Sequence, residues 1–315
     1  MLNRRYLRIK VMQALYGFFQ SDTKDLARSE KDLFTAIEKI YDLFIYQLAF
    51  LIELKHVATV LMEEAKTKRL PTEHDLNPNL KFIENKFINQ LENNIHVQRE
   101  INNRRISWNN EFELVKKVFN TIKTSPEFEK YMNVSDDSFN SHRDFALEMF
   151  RESIADFELL NHLYEEKNLH YGDDIYIVNP MIVKMIEGAK ESATPDSPLM
   201  TLYKDKEEDM QFVKDLFRET ALRNDEIEKM IGDKTKNWEV DRIAMMDVLL
   251  MKMAITEILH FSSIPVKVSL NEFIEISKMY STPKSKIFIN GILDKIVADL
   301  KAGNMLNKMG RGLME

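Results

Sequence analysis

Catalysis needs side chains that exchange protons, hold metals or attack, brought together by their spacing. The seven histidines of this chain are scattered, and one spacing is suggestive. His162, Glu166 and His170 recur at four-residue steps, which on an unbroken helix would put three potential metal ligands on one face. Asn168 and Gly172 end such a helix too soon, in a segment rich in acids throughout. Acid runs such as Lys206-Glu207-Glu208-Asp209 and Glu63-Glu64 have the pattern of solvated helix faces. None of the G-x-x-x-x-G-K-[ST], G-x-G-x-x-G or H-E-x-x-H motifs occurs. The chain has no cysteine, so thiolate and disulfide chemistry are unavailable. No catalytic constellation can be assembled, and no enzyme activity, metal or cofactor is expected.

Binding is a different matter. The first twenty residues hold Arg4, Arg5, Arg8 and Lys10 and no acid, in a chain of net charge −7. That balance argues against a nucleic-acid coat over the whole surface and for a local polyanion contact at this end. Arginines in a first helical turn oppose the helix dipole, which favours acids there by about 0.3–1 kcal/mol. The same arrangement lets helix-end N–H groups and guanidinium groups face one phosphate. A solvated basic helix end is the plain alternative. Arg104-Arg105 near Trp108 combines cation and aromatic, but so short a cluster reads as a surface loop.

The elements that must position these groups are helical. Of 315 residues, 44% are hydrophobic and 30% charged, with only 8 Gly and 8 Pro, a balance that favours an all-α fold. No uninterrupted apolar run approaches the ~20 residues of a membrane span, and Arg8 and Lys10 interrupt any leader-like start. A soluble cytoplasmic protein without membrane attachment is expected. Asn3 to Gln20 forms an amphipathic helix with Leu7, Val11, Ala14, Leu15 and Phe18 in one sector and Arg8 at its edge. Ser29 to Lys68 keeps helical period, and helices follow over Asn79 to Ile101, Trp108 to Lys123 and Ser125 to Tyr131. Phe145 to Ser153 echoes Phe212 to Thr220, with Tyr171 opposite Trp238 and Asp174 opposite Asp241, which reads either as a repeated helix–loop–helix unit or as coincidence between two amphipathic helices. Ser192 to Pro198 is a linker, and Lys204 to Ile231 a further helix.

Trp238 to Leu300 reads as three helices. The first carries Ile243, Met246, Leu249, Leu250, Met253 and Ile258. The second opens on a Ser269-x-x-Glu272 capping box. The third starts with Thr282 as N-cap and Pro283 in the first turn. Gly291 falls mid-helix at a cost of about 1 kcal/mol relative to Ala, which close approach of a neighbouring backbone would offset.

Met253-Ala254-Ile255-Thr256-Glu257-Ile258, the run from Ile264-Pro265 to Glu272, and Phe288-Ile289-Asn290-Gly291-Ile292-Leu293-Asp294 keep both the residues and the spacing of a known pattern. Together they resemble the carboxy-terminal half of the NusB family of transcription antitermination factors. Arg4, Arg5, Leu7, Arg8, Gln13, Ala14, Leu15 and Tyr16 fall in register with that family's Arg-rich first helix. The resemblance implies NusB-like helical bundles built from residues 1–22 and 199–302, with a helical insertion over 23–198; the tail over 303–315, with Gly303, Gly310 and Gly312, reads from its own residues as flexible and mildly basic.

It further implies antitermination at ribosomal RNA operons, with boxA-like single-stranded RNA, the small-subunit ribosomal protein NusE and RNA polymerase as partners. Arg4, Arg5 and Arg8 would hold the RNA backbone, Gln13 would bond a base and Tyr16 would offer a stacking face. Lys284, Ser285, Lys286 and Phe288 would continue that surface, and Lys252 and Glu257 would meet the protein partner. Lys10 stands where the family commonly has an acid, and Thr256 where it has Tyr. A scaffold that binds only protein is the alternative. A component related to RNA cytosine methyltransferases would need a further α/β domain.

Overall fold

The computed structural model describes residues 1–235 and 244–313. Trp238, Asp241 and Ile243, with their expected roles in the repeat and the first closing helix, lie outside the described residues. Among the described residues the regular structure is helical throughout: α1 (Arg4–Gln20), α2 (Leu26–Lys66), α3 (Glu73–Leu76), α4 (Lys86–Glu92), α5 (Ile95–Asn103), α6 (Phe112–Lys123), α7 (Pro126–Asn133), α8 (Phe139–Met149), α9 (Glu158–Lys167), α10 (Tyr171–Glu187), α11 (Lys206–Leu222), α12 (Asn224–Lys234), α13 (Met245–His260), α14 (Val266–Tyr280) and α15 (Ser285–Ala302). The all-α expectation holds.

The chain divides into two compact units. One comprises Glu38–Leu202 with Met1, the other Leu2–Ile37 with Tyr203–Glu315. In the first unit, Phe82, Phe119, Phe128 and Phe145 meet at ring-centroid distances of 5.3–6.3 Å. Trp108 is 3% exposed and packs on Tyr46 and Phe50. It is a core residue and no part of a surface loop. Arg104 of the same segment lies over Tyr41 and is ion-paired to Asp42 and Glu100. The single helix expected over Asn79 to Ile101 is two, because Asn85 and Asn94 each cap a new one by accepting from the backbone N–H of Ile88 and Val97. The 192–198 segment is tied down by Ile95 N–H to the Pro195 carbonyl and Asn94 to the Ser197 carbonyl.

α2 is the one described helix long and apolar enough to cross a membrane, and 67% of its most apolar stretch is buried inside the protein. In the proposed repeat, Phe145, Met149 and Phe150 are buried as Phe212, Leu216 and Phe217 are. The backbones differ, however: the first segment passes into a π-helical turn at Phe150–Ile154, while α11 runs on to Leu222.

In the second unit α13 is the centre. Leu249 to Ile258 are all buried, as an element surrounded by other helices must be. It packs against α1, α11, α12, α14 and α15, and α1 also lies on α11 and α14. Two helix starts differ from expectation. α14 begins at Val266, directly after Pro265, so Ser269 and Glu272 are interior positions whose side chains do other work. α15 begins at Ser285, with Thr282 and Pro283 in the preceding turn.

Residues 303–313, expected to be a flexible tail, fold back on the turn after α13. Met309 N–H donates to the Ser262 carbonyl at 3.1 Å, and Lys308 Nζ to the Phe261 carbonyl at 3.0 Å. Gly312 is buried against this turn, so closely that a Cβ there would collide with the Ser262 carbonyl oxygen. Gly303, Gly310 and Gly312 read as flexibility in the sequence, whereas at Gly312 the reason is close approach.

Gly291 shows the reverse. A Cβ at this exposed mid-helix position would meet nothing within 4 Å, so no neighbouring backbone exploits the missing side chain. Gly291→Ala is therefore expected to stabilise the protein by about 0.4–1 kcal/mol, read as a higher urea midpoint at unchanged m-value. A destabilised variant would mean that something packs there.

Candidate nucleic-acid interface

α1 carries the charges that sequence reasoning singled out, and the fold sorts them by depth. Asn3 caps the helix by accepting from Tyr6 N–H, which holds Arg4 and Arg5 in the first turn. One turn further, Arg8 is 2% exposed and Lys10 1%. The Arg8 guanidinium makes a fork to Glu257, Nε to Oε2 at 2.7 Å and Nη2 to Oε1 at 2.8 Å. Glu257 is fully buried and also accepts from the Ser269 hydroxyl at 2.7 Å. The Arg8 guanidinium lies 5.3 Å from the Phe212 ring centroid and 5.9 Å from that of Phe273, which adds cation–π attraction in a dry site. This network joins α1, α13 and α14.

Arg8, 2% exposed at the floor of its cleft and with its guanidinium committed to Glu257, is therefore not placed to hold a phosphate backbone, and Glu257, fully buried, cannot meet a protein partner. Both expectations are corrected. Lys10, turned inward, adds nothing to the basic surface. Ser285 is likewise buried and lies within hydrogen-bonding distance of the hydroxyls of Ser281 and Thr282, at 3.0 and 2.8 Å; it shapes the start of α15 instead of touching a ligand. Thr256, whose hydroxyl donates to the Lys252 carbonyl, is buried too.

The remaining candidates lie at or near the surface. Arg4 is ion-paired to Glu208 and stands 4.9 Å over the Phe212 ring. Arg5 forks onto Glu272 at 2.9 and 2.8 Å, and those bonds raise its pKa above the ordinary arginine value. Lys284 and Lys286 are exposed, and Phe288 is half-buried. Glu275 ties the two sides of this surface together. Its pKa is lowered first by the hydrogen bond from Lys278, with the charges of Lys278, Arg5 and Lys286 adding to the effect. Arg5 of α1 and Lys286 of α15 thus both lie within electrostatic reach of one α14 carboxylate.

Two clefts open along α1. The first, about 580 Å³, is lined by Arg4, Arg5, Arg8 and Arg311, the acid Glu272, and apolar Ile264, Pro265 and Val268. The second, about 350 Å³, holds Tyr16, Phe19, Lys24, Met245 and Lys252. Tyr16 is 42% exposed there, and Gln13 is half-buried one turn before it. Lys252 is largely buried, bonded to Asn224 and Glu228 at 2.7 Å each, 5.3 Å over the Phe19 ring. Tyr16, expected to touch RNA, and Lys252, expected to touch protein, line one cleft.

A metal face does not form at His162. That residue pairs with Glu166 at 3.3 Å on α9, but Asn168 ends the helix and His170 belongs to the start of α10.

Residues 181–298, which include all of α11 to α14 and most of α15, match the family model described as "NusB family". This stretch is where the chain is similar to the NusB family. Similar proteins include the "Transcription antitermination protein NusB" of Salinibacter ruber, 48% identical over 103 residues, 33% of this chain and 64% of that protein. The protein of the same description from Chloroherpeton thalassium is 47% identical over 90 residues, 29% of this chain and 43% of that one. The one from Natranaerobius thermophilus is 37% identical over 98 residues, 31% and 66% respectively. The matches thus span between 43% and 66% of these relatives' own lengths. No solved structure matches the chain. α1 lies outside the NusB-family stretch in sequence and packs on three of its helices in space.

Removing Arg8 would leave the Glu257 carboxylate buried without its counter-charge, a change that costs about 3–5 kcal/mol in comparable sites. Arg8→Ala should lower the denaturation midpoint accordingly. A midpoint equal to that of the wild type would show that the pair does not hold α1 in place.

Proposed function

We propose that this protein is a transcription antitermination factor of the NusB type that works by binding and not by catalysis. In this reading it engages boxA-like single-stranded RNA together with the ribosomal protein NusE in a cytoplasmic antitermination complex with RNA polymerase, during transcription of ribosomal RNA operons. The observation that carries the reading is the arginine-lined cleft at the start of α1, which packs on the NusB-family helices in a chain of net charge −7. Support also comes from the three relatives, each described as a transcription antitermination protein.

The roles divide by exposure. Arg4 and Arg5 contact phosphates, exchanging their carboxylate partners for phosphate oxygens. Lys284 and Lys286 extend the positive surface and Phe288 supplies apolar area beside them. Gln13 bonds a base and Tyr16 stacks on one. Lys252 lies where the protein partner would border the second cleft.

Binding of a labelled boxA-like RNA, with and without the ribosomal partner, tests this across a salt series. Each phosphate contact on a single strand contributes about 0.7 to the slope of log Kobs against log salt. Arg4→Ala with Arg5→Ala is expected to weaken binding and to reduce the magnitude of the slope by about 1.4, twice that contribution. An absence of RNA binding at every salt concentration, alone and with the partner, would contradict the reading and favour a scaffold that binds only protein.

A further inference from the structure

The turn that follows α15 contributes to the same cleft, and neither the family match, which ends at residue 298, nor the sequence reading assigned it a role. The segment is built to hold one place. Met309 N–H and Lys308 Nζ bond the carbonyls of Ser262 and Phe261 at the end of α13, and Gly310–Leu313 closes as a 3-10 turn with Gly312 buried against Ser262. Lys308 caps a helix end where the dipole favours a cation. Gly310 takes a positive φ of 54°, and only a residue without Cβ does so at no cost. Between these two anchored glycines stands Arg311, which is exposed and lines the cleft beside Arg4, Arg5, Ile264 and Pro265.

Arg311 differs from the other three arginines in one respect. Arg4 is paired to Glu208, Arg5 to Glu272 and Arg8 to Glu257. Among the described residues, Arg311 has no acid within ion-pairing distance, in a cleft where Glu272 is the lone acidic lining residue. A guanidinium held at a cleft wall without a counter-ion has its donors free for an oxyanion. The apolar Ile264, Pro265 and Val268 beside it suit a sugar or base better than an isolated inorganic ion.

We propose that the C-terminal turn completes the RNA-binding cleft, with Arg311 contacting a backbone phosphodiester. This rests on the RNA-binding reading above. Because a phosphate contact carries no sequence information, the effect of losing it should be the same for different RNAs.

The test uses the full-length chain and two fluorescein-labelled single-stranded RNAs of unrelated sequence, titrated by anisotropy across a salt series. Arg311→Ala, an exposed change that leaves the packing intact, should weaken binding several-fold for both RNAs. It should also reduce the magnitude of the salt slope by about 0.7. Gly312→Val places a side chain against the Ser262 carbonyl, so it should displace the turn and reproduce that loss while the helical circular-dichroism signal stays at the wild-type level. If the wild type binds and R311A keeps its affinity and slope, the inference is overturned while the RNA-binding reading stands. If the wild type binds neither RNA at low salt, the reading itself fails, and the inference with it.

Discussion

The buried fork between Arg8 and Glu257 is the interaction on which the second unit depends. Two charges taken out of water cost several kcal/mol each, and only close geometry with further hydrogen bonds compensates for that. Here the compensation is visible: two short guanidinium–carboxylate bonds, a hydroxyl from Ser269 and two aromatic rings facing the cation. The pair is also selective. α1 can seat on α13 and α14 in one register, because any other leaves a charge buried alone.

That constraint explains how a single basic helix serves two purposes. With Arg8 directed inward, Arg4 and Arg5, one turn earlier, fall at the rim of the arginine-lined cleft. Tyr16, two turns later, falls at the second cleft. In the proposed reading the pin and the ligand-facing groups are thus separated along and around the helix, which would let the surface exchange partners without loosening the core. The acids on α14 have the complementary arrangement. Glu272 holds Arg5 and lies 3.8 Å from Arg8, while Glu275 stays at the surface among Lys278, Arg5 and Lys286.

Much of the architecture was legible in the sequence. Helical periodicity, the scarcity of Gly and Pro and the punctuation around Pro265 and Pro283 sufficed for an all-α fold with three closing helices. What periodicity could not provide was depth. Arg8 sits at the edge of an apolar sector on a helical wheel, and a wheel does not show that α13 and α14 enclose that edge. The Ser269-x-x-Glu272 spacing mimicked a helix start, yet its hydroxyl and carboxylate answer to Glu257 and Arg5, more than ten residues and more than two hundred and fifty residues away in the chain, respectively. Glycine misled in both directions. Gly312 looked like a loose end and is a packing contact, while Gly291 looked like a packing contact and faces open space. Arg311 went unnoticed because nothing local distinguishes a lone arginine near the end of the chain; its placement comes from the turn anchored on Ser262.

The account depends on Arg8 as a structural pin and on Arg4 and Arg5 as the groups that meet RNA. Arginine-directed dicarbonyl labelling of the folded chain, read by mass spectrometry with and without single-stranded RNA, separates these roles in one measurement. The expected result is that Arg8 stays unmodified in both states while Arg4 and Arg5 are modified in the free protein and protected by RNA. Modification of Arg8 in the free folded chain, with protection on RNA binding, would contradict the account.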